Sequence, residues 1–171
     1  MNEKLIYKGP IFDLIQTHVE VKNKLFQRDI IKVPGGVGLL VIENQKILLV
    51  KQHRTAVNQD TLEIPAGKLE YGEDPKETGF RELNEETGYT CSNLKLIQHF
   101  IPTPAFCNET IWIYQAEGLQ KAETRLSMDE DEEIMTLWMP LKEAFEKVRK
   151  NEIQDAKTVI AIYYAILESR D

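Results

Sequence analysis

Two cysteines, Cys91 and Cys107, are all that 171 residues hold, and they form neither a metal-spaced pair nor a disulfide framework. Reduced thiols and a cytoplasmic protein are therefore expected. Long apolar runs are missing as well. No stretch reaches the roughly 18–20 residues a membrane span requires, and the start, MNEKLIYKGP, carries no apolar segment with a cleavage site. Positive charge is scarce: 21 Lys and Arg stand against 28 Asp and Glu, a net charge of −7. This excludes a nucleic-acid backbone or an anionic membrane as the main partner. An anionic small molecule would need local arginines or divalent cations to offset that field. No repeat, linker or low-complexity stretch divides the chain, and 42% hydrophobic with 29% charged residues allow one domain with a sizeable core.

What is present reads as alternating strands around one helix, with more helix at the end. From Phe12 to Val33 the period is two and β-branched residues abound, which predicts two antiparallel strands turning at Asn23-Lys24. Pro34-Gly35-Gly36 ends them. Val37 to Glu43 and Lys46 to Gln52, either side of Asn44-Gln45, predict a second, more buried hairpin. Leu94 to Ile101, Thr110 to Glu117 and Ile134 to Pro140 are further strands. A helix opens at Asp74-Pro75, cap and first-turn proline, and stops at Gly88. Leu141 to Lys150 and Ala156 to Glu168 supply the terminal helical stretch, its apolar face including Val159, Ile162 and Ile166. The order predicts an α/β (α+β) chain, a mixed sheet sandwiched by helices.

The chemistry concentrates in GKLEYGEDPKETGFRELNEETGY, Gly67 to Tyr89. Glu82, Glu85 and Glu86 stand at i, i+3 and i+4, so three carboxylates share one helix face. Their mutual repulsion costs about 0.2–0.5 kcal/mol per pair, which a hard divalent cation reverses, and Mg2+ or Mn2+ is the natural occupant. Arg81 lies to one side, placed to orient one carboxylate. Phe80, Leu83 and Thr87 point away and pack the helix onto the sheet.

From Gly67 the fixed positions run Glu73, Arg81-Glu82, Leu83, Glu85-Glu86 and Gly88, which resembles the Nudix signature G-x5-E-x7-R-E-U-x-E-E-x-G-U, with aromatic Tyr89 at the last position. Glu63-Ile64-Pro65-Ala66-Gly67 before the box and Pro102 to Glu109 after it, Pro104 included, resemble the ADP-ribose pyrophosphatase subfamily. So do Arg28-Asp29, Lys51 to Arg54 and Asp155 to Thr158.

The resemblance implies a Nudix αβα sandwich in residues 37–171, behind an N-terminal antiparallel hairpin extension, residues 1–36. It implies metal-dependent hydrolysis of a nucleoside diphosphate sugar, ADP-ribose foremost, to AMP and ribose 5-phosphate. Two or three cations would be held by Glu82, Glu86 and the Ala66 carbonyl, with Glu85 sharing or bridging them and Arg81 assisting. From the acidic run Asp129 to Glu133, Glu130 matches the base and Glu132 a further ligand, with Glu132 the main rival for the base and Glu109 another. Arg28, Arg54, Glu63, Pro104 and Glu109 are placed near substrate by the same resemblance; Phe12 is either core or a stacking surface for adenine. His18, His53 and His99 are structural. The subfamily pattern also implies a homodimer with exchanged N-terminal strands, Arg28 reaching the partner's site. Other Nudix substrates, such as ADP-glucose or dinucleoside polyphosphates, and a non-catalytic ADP-ribose sensor are the competing readings.

Overall fold

The computed structural model describes residues 3–127 and 133–169. The N-terminal segment is a three-stranded antiparallel sheet, β1 (Lys4–Lys8), β2 (Asp13–Val21) and β3 (Lys24–Lys32). The expected hairpin is β2–β3, but its turn falls on Lys22-Asn23, one residue earlier. Both residues take positive φ, 50° and 58°, as a two-residue turn matched to strand twist demands. β1 was not anticipated, because five exposed residues give no burial pattern to read.

The remainder is built from β4 (Gly36–Leu40), β5 (Ile42–Glu43), β6 (Lys46–Arg54), β7 (Gln59–Glu63), β8 (Ala66–Lys68) and α1 (Pro75–Thr87). Then come β9 (Tyr89–Thr90), β10 (Asn93–Phe100), β11 (Ile111–Glu117), β12 (Gln120–Lys121), β13 (Met135–Pro140), α2 (Leu141–Arg149) and α3 (Ala156–Glu168). One mixed sheet runs β10-β11-β4-β8, with β11 and β4 parallel. A second runs β13-β6-β5, with β7 also paired to β6. The expected hairpin from Val37 to Gln52 is thus only half right. Ile42 and Glu43 pair with Ile47 and Lys46 around Asn44-Gln45, while Val37 to Leu40 pair with β11 and β8 in the other sheet. An unbroken apolar run is buried on both faces, and such a run does not specify its neighbours.

The two faces of these strands carry different helices. Leu40, Ile47, Leu49 and Ile113 pack with Ala144, Val148, Ala161 and Ile162 of α2 and α3, whereas Val37, Leu39 and Leu48 pack with Leu83 of α1. The expected αβα sandwich around a mixed sheet is what forms. The caps of α1 are those read from sequence. Asp74 accepts from the Lys76 N–H at 2.8 Å, Pro75 is the first helical residue, and Gly88 closes the helix at φ 70°. Gly79 lets α1 lie close on the sheet, since a Cβ there would stand 2.8 Å from Leu94 Cδ1.

Candidate active site

Packing Leu83 inward turns the next residues of α1 along the edge of β8. Glu82 and Glu86 are buried and Glu85 half-buried. Arg81, expected to orient one carboxylate, holds two: its Nη1 donates to Glu82 Oε1 and to Glu85 Oε2, each at 2.8 Å. Its Nε reaches Glu73 Oε1 at 3.4 Å. Burial alone would lower the Arg81 pKa, but the Glu82 charge and the bonds to Glu73 and Glu85 outweigh it and raise it. Glu86 Oε2 accepts from the Ala66 N–H at 2.9 Å. Glu82 lies against the bare α-carbon of Gly67, where a Cβ would overlap its carboxyl group. The first glycine of the box is there because a carboxylate needs its space.

The opposite side of the site is ionic and tightly tied. Arg54 donates from Nε and Nη2 to the two oxygens of Glu63, both at 2.7 Å. Thr61 Oγ1 donates to Glu63 Oε1 at 2.6 Å, and Lys157 Nζ to Glu63 Oε2 at 2.5 Å. Burial would raise the Glu63 carboxyl, but the bonds from Arg54, Lys157 and Thr61 with the Lys157 charge bring it down from 4.5 to about 2. Beside it, Pro102 to Glu109 is tied to β3: the Ile31 N–H donates to Phe106 O at 2.8 Å and the Val33 N–H to Asn108 Oδ1 at 2.8 Å. This carries Glu109 to the cavity wall, where burial raises its carboxyl pKa against the opposing charge of Lys157.

A cavity of about 910 Å³ gathers Phe12, Arg54, Ala66, Arg81, Glu109 and the three glutamates Glu82, Glu85 and Glu86. Three expected residues lie off that wall. Glu63 sits beneath it with a side chain 3% exposed, so it acts through Arg54 and Lys157 and does not face the cavity itself. Pro104 is exposed in its loop, and Arg28, on β3, lies over the Phe26 ring, away from the cavity of its own chain. Phe12 is 39% exposed, which removes its reading as core. Glu130 and Glu132 fall outside the described residues. None of the three histidines lines the cavity.

Two residues were missed by sequence reasoning. Lys157 lines the cavity. Arg125 donates to Glu86 O at 2.9 Å and to Glu85 O at 3.2 Å, closing the carbonyl end of α1. Lys157 stands two residues after Asp155, the N-cap of α3, in the stretch that carries the subfamily resemblance, which was a signal for the first; nothing local points to the second.

Residues 32–161 match the NUDIX domain family. The chain belongs to the Nudix family. Over 165 residues it is 41% identical to the methanol dehydrogenase activator of Bacillus methanolicus, covering 95% of this chain and 89% of that one. The same figures hold for the ADP-ribose pyrophosphatase of Bacillus subtilis (strain 168). A crystal structure of an ADP compounds hydrolase superposes with a TM-score of 0.82 at 19% identity, covering 99% of this chain and 94% of that one, and shows the same fold. The resemblance read from the box therefore holds for the family, the fold and the hydrolase class.

Nudix enzymes work with divalent metal ions. The residues of this Nudix site fit such a group. Glu82, Glu85 and Glu86 present hard oxygen donors only, and the cradle at Gly67 is shaped around one of them. Among the described residues no three His, Cys, Asp or Glu side chains already converge as a cage. Arg81 and the Ala66 N–H hold the carboxylates instead.

Proposed function

We propose that this Nudix hydrolase cleaves the pyrophosphate bond of a nucleoside diphosphate sugar, with ADP-ribose, giving AMP and ribose 5-phosphate, the foremost substrate. One observation carries the reading: a single cavity joins a carboxylate face, an arginine and an exposed aromatic ring. These match the cations, the phosphate oxygens and the base of such a substrate. The 41% identity to an ADP-ribose pyrophosphatase supports the choice of sugar nucleotide.

In this mechanism Glu82, Glu85, Glu86 and the Ala66 carbonyl hold two or three Mg2+ or Mn2+ ions. Once bound, these neutralise the pyrophosphate oxygens and acidify the attacking water. Arg81 keeps Glu82 and Glu85 from swinging apart. Arg54, fixed by both oxygens of Glu63, directs its guanidinium at the phosphates. Phe12 stacks on the adenine, and Pro104 shapes the loop that brings Glu109 to the sugar side. A water oxygen forms the new P–O bond, the bridging oxygen leaves with the other phosphate, and the water's proton passes to a carboxylate. Glu130 is that base, with Glu132 as a further ligand and the main rival for the role, and Glu109 a second rival. Alkaline pH favours the reaction, because base and water then give up protons more readily.

Residues 1–36 form an extension that exchanges between two copies in a homodimer. The support is an N-terminal sheet with Leu5, Tyr7, Leu25 and Phe26 exposed, Leu25 at 70%, and an Arg28 that lies over the Phe26 ring and does not line its own cavity. Free Cys91 and Cys107 support a cytoplasmic setting, and among the described residues no helix is long and apolar enough to cross a membrane.

Product analysis by phosphorus NMR tests the activity: AMP and ribose 5-phosphate should appear from ADP-ribose with magnesium and not after chelation. Tight binding of ADP-ribose without turnover would instead make the protein a sensor. Sedimentation as a monomer at micromolar concentration, or full activity after deleting residues 1–33, would remove the dimer.

A further inference from the structure

Glu85 and Glu86, both on the cavity wall, stand in the last turn of α1, the part of a helix that frays first. Their carboxylates sit near the negative end of the helix dipole, and the turn holds no basic residue to offset them. Their backbone carbonyls lack helical donors too. The amides four residues on belong to Tyr89 and Thr90, which have left the helix for β9, and the Tyr89 N–H donates to Thr87 Oγ1 at 3.2 Å. The turn that the carboxylate face needs is thus the one least able to hold itself.

A segment 40 residues further along the chain supplies what is missing. β12 pairs with β9, and the Ala122 N–H donates to Gly88 O at 3.0 Å. Arg125 then crosses Gly88, its Cδ 3.4 Å from where a Cβ would stand. Its Nε and Nη2 donate to Glu85 O, each at 3.2 Å, and Nη2 also to Glu86 O at 2.9 Å. Asn84, at the unspecified box position between Leu83 and Glu85, donates from Nδ2 to Thr124 O at 3.1 Å and accepts at Oδ1 from the Leu126 N–H at 2.7 Å. Residues 124–126 are buckled to α1 on both sides of Arg125.

Neither Asn84 nor Arg125 lines the cavity. The carboxylates themselves are held by other groups, Glu85 by Arg81 and Glu86 by the Ala66 N–H. What the clamp fixes is the backbone from which they project. We propose that Asn84 and Arg125 are positioning residues for metal binding, holding the last turn of α1 so that Glu85 and Glu86 present their oxygens to a divalent cation together. This rests on the reading of the glutamate face as a metal site above.

The full-length protein is compared as wild type, Asn84→Ala, Arg125→Met and Arg125→Lys. Binding of Mn2+, followed directly by loss of the free ion's electron paramagnetic resonance signal, should weaken about tenfold in Arg125→Met, the lower end of what losing support behind a metal ligand costs. Asn84→Ala, which changes no charge, should shift binding the same way, and Arg125→Lys should recover part of the loss. The sign is diagnostic: an arginine acting by charge alone would repel Mn2+, so its removal would tighten binding. Hydrogen exchange without metal reports on the turn itself. The Gly88 N–H, bonded to Asn84 O at 2.8 Å, should exchange about tenfold faster in Asn84→Ala and Arg125→Met. Unchanged or tighter Mn2+ binding in these variants, even with a lowered unfolding midpoint, reduces the clamp to a brace and overturns the proposal. Weakened binding with unchanged exchange would place the effect outside the turn and overturn it as well. If Arg125→Met does not fold, Asn84→Ala and Arg125→Lys carry the same comparison. A wild type that binds no Mn2+ would remove the metal reading itself, and this proposal with it.

Discussion

Replacing Glu63 by glutamine removes the charge on which Arg54 and Lys157 are both mounted while leaving the side chain's shape nearly unchanged. The Glu63 carboxyl is depressed from 4.5 to about 2, and its side chain is 3% exposed, so solvent screening takes little away. That displacement corresponds to about 3 kcal/mol of folding free energy. Breaking a buried pair from one side costs about 3–5 kcal/mol by another route of reasoning. Because the carboxyl is depressed in the folded state, the stabilisation is complete above the ordinary carboxylate pKa. It drains away as the pH falls from about 4.5 towards 2. Urea unfolding at pH 7 should show Glu63→Gln less stable by about 3 kcal/mol, roughly 6–12 °C in Tm for a chain of this size. Repeating the pair of titrations down to pH 3 should narrow the gap, since the carboxyl then takes up its proton in the unfolded chain while it stays ionised in the folded one. Taking the difference between the proteins cancels the other acidic groups. A gap below about 1 kcal/mol at pH 7, or one that stays constant from pH 7 to pH 3, would refute this account of the ionic mount.

Gly67→Ala should place its Cβ in the Glu82 carboxyl group, so we expect kcat/KM to fall at least tenfold and the half-saturating magnesium concentration to rise, checked by steady-state kinetics. Asn108→Ala frees the loop from Val33, where its side chain both accepts and donates; a KM increase with little change in Tm is the expected result. Glu130→Gln should keep substrate affinity and lower kcat by about 10²–10⁴-fold, whereas Glu132→Gln should show a loss that depends on metal concentration. Wild-type kcat in Glu130→Gln, with collapse in Glu109→Gln at saturating metal, would transfer the role of base to Glu109.

Much of the site was legible because its spacing is local. Glu82, Glu85 and Glu86 share a face by helix geometry alone, and Asp74, Pro75 and Gly88 bound that helix by backbone chemistry that four or five residues contain. The ionic mount was only half legible: Glu63, Arg54 and the stretch Asp155 to Thr158 each stood out, but Glu63 and Lys157 lie 94 residues apart and nothing in the sequence pairs them. Strands β7, β8 and β9 are two to five residues long and carry no alternation to read. The run from Val37 to Glu43 misled for the opposite reason: so uniformly apolar a stretch specifies burial, yet the change of sheet near Val41 is decided by β11 and β8. Phe12 needed the β1–β2 corner, which tilts it beside Tyr7 with ring centroids 5.9 Å apart, before its exposure could be seen.

The central claim is that the carboxylate face, Arg54 and Phe12 together select a nucleoside diphosphate sugar for metal-dependent hydrolysis. The most direct test is a side-by-side measurement of kcat/KM for ADP-ribose, ADP-glucose, NADH and a diadenosine polyphosphate, with magnesium and after chelation. The account predicts the highest value for ADP-ribose, abolished without metal. Turnover of the diadenosine polyphosphate far above every sugar nucleotide, or hydrolysis that survives chelation, would contradict it.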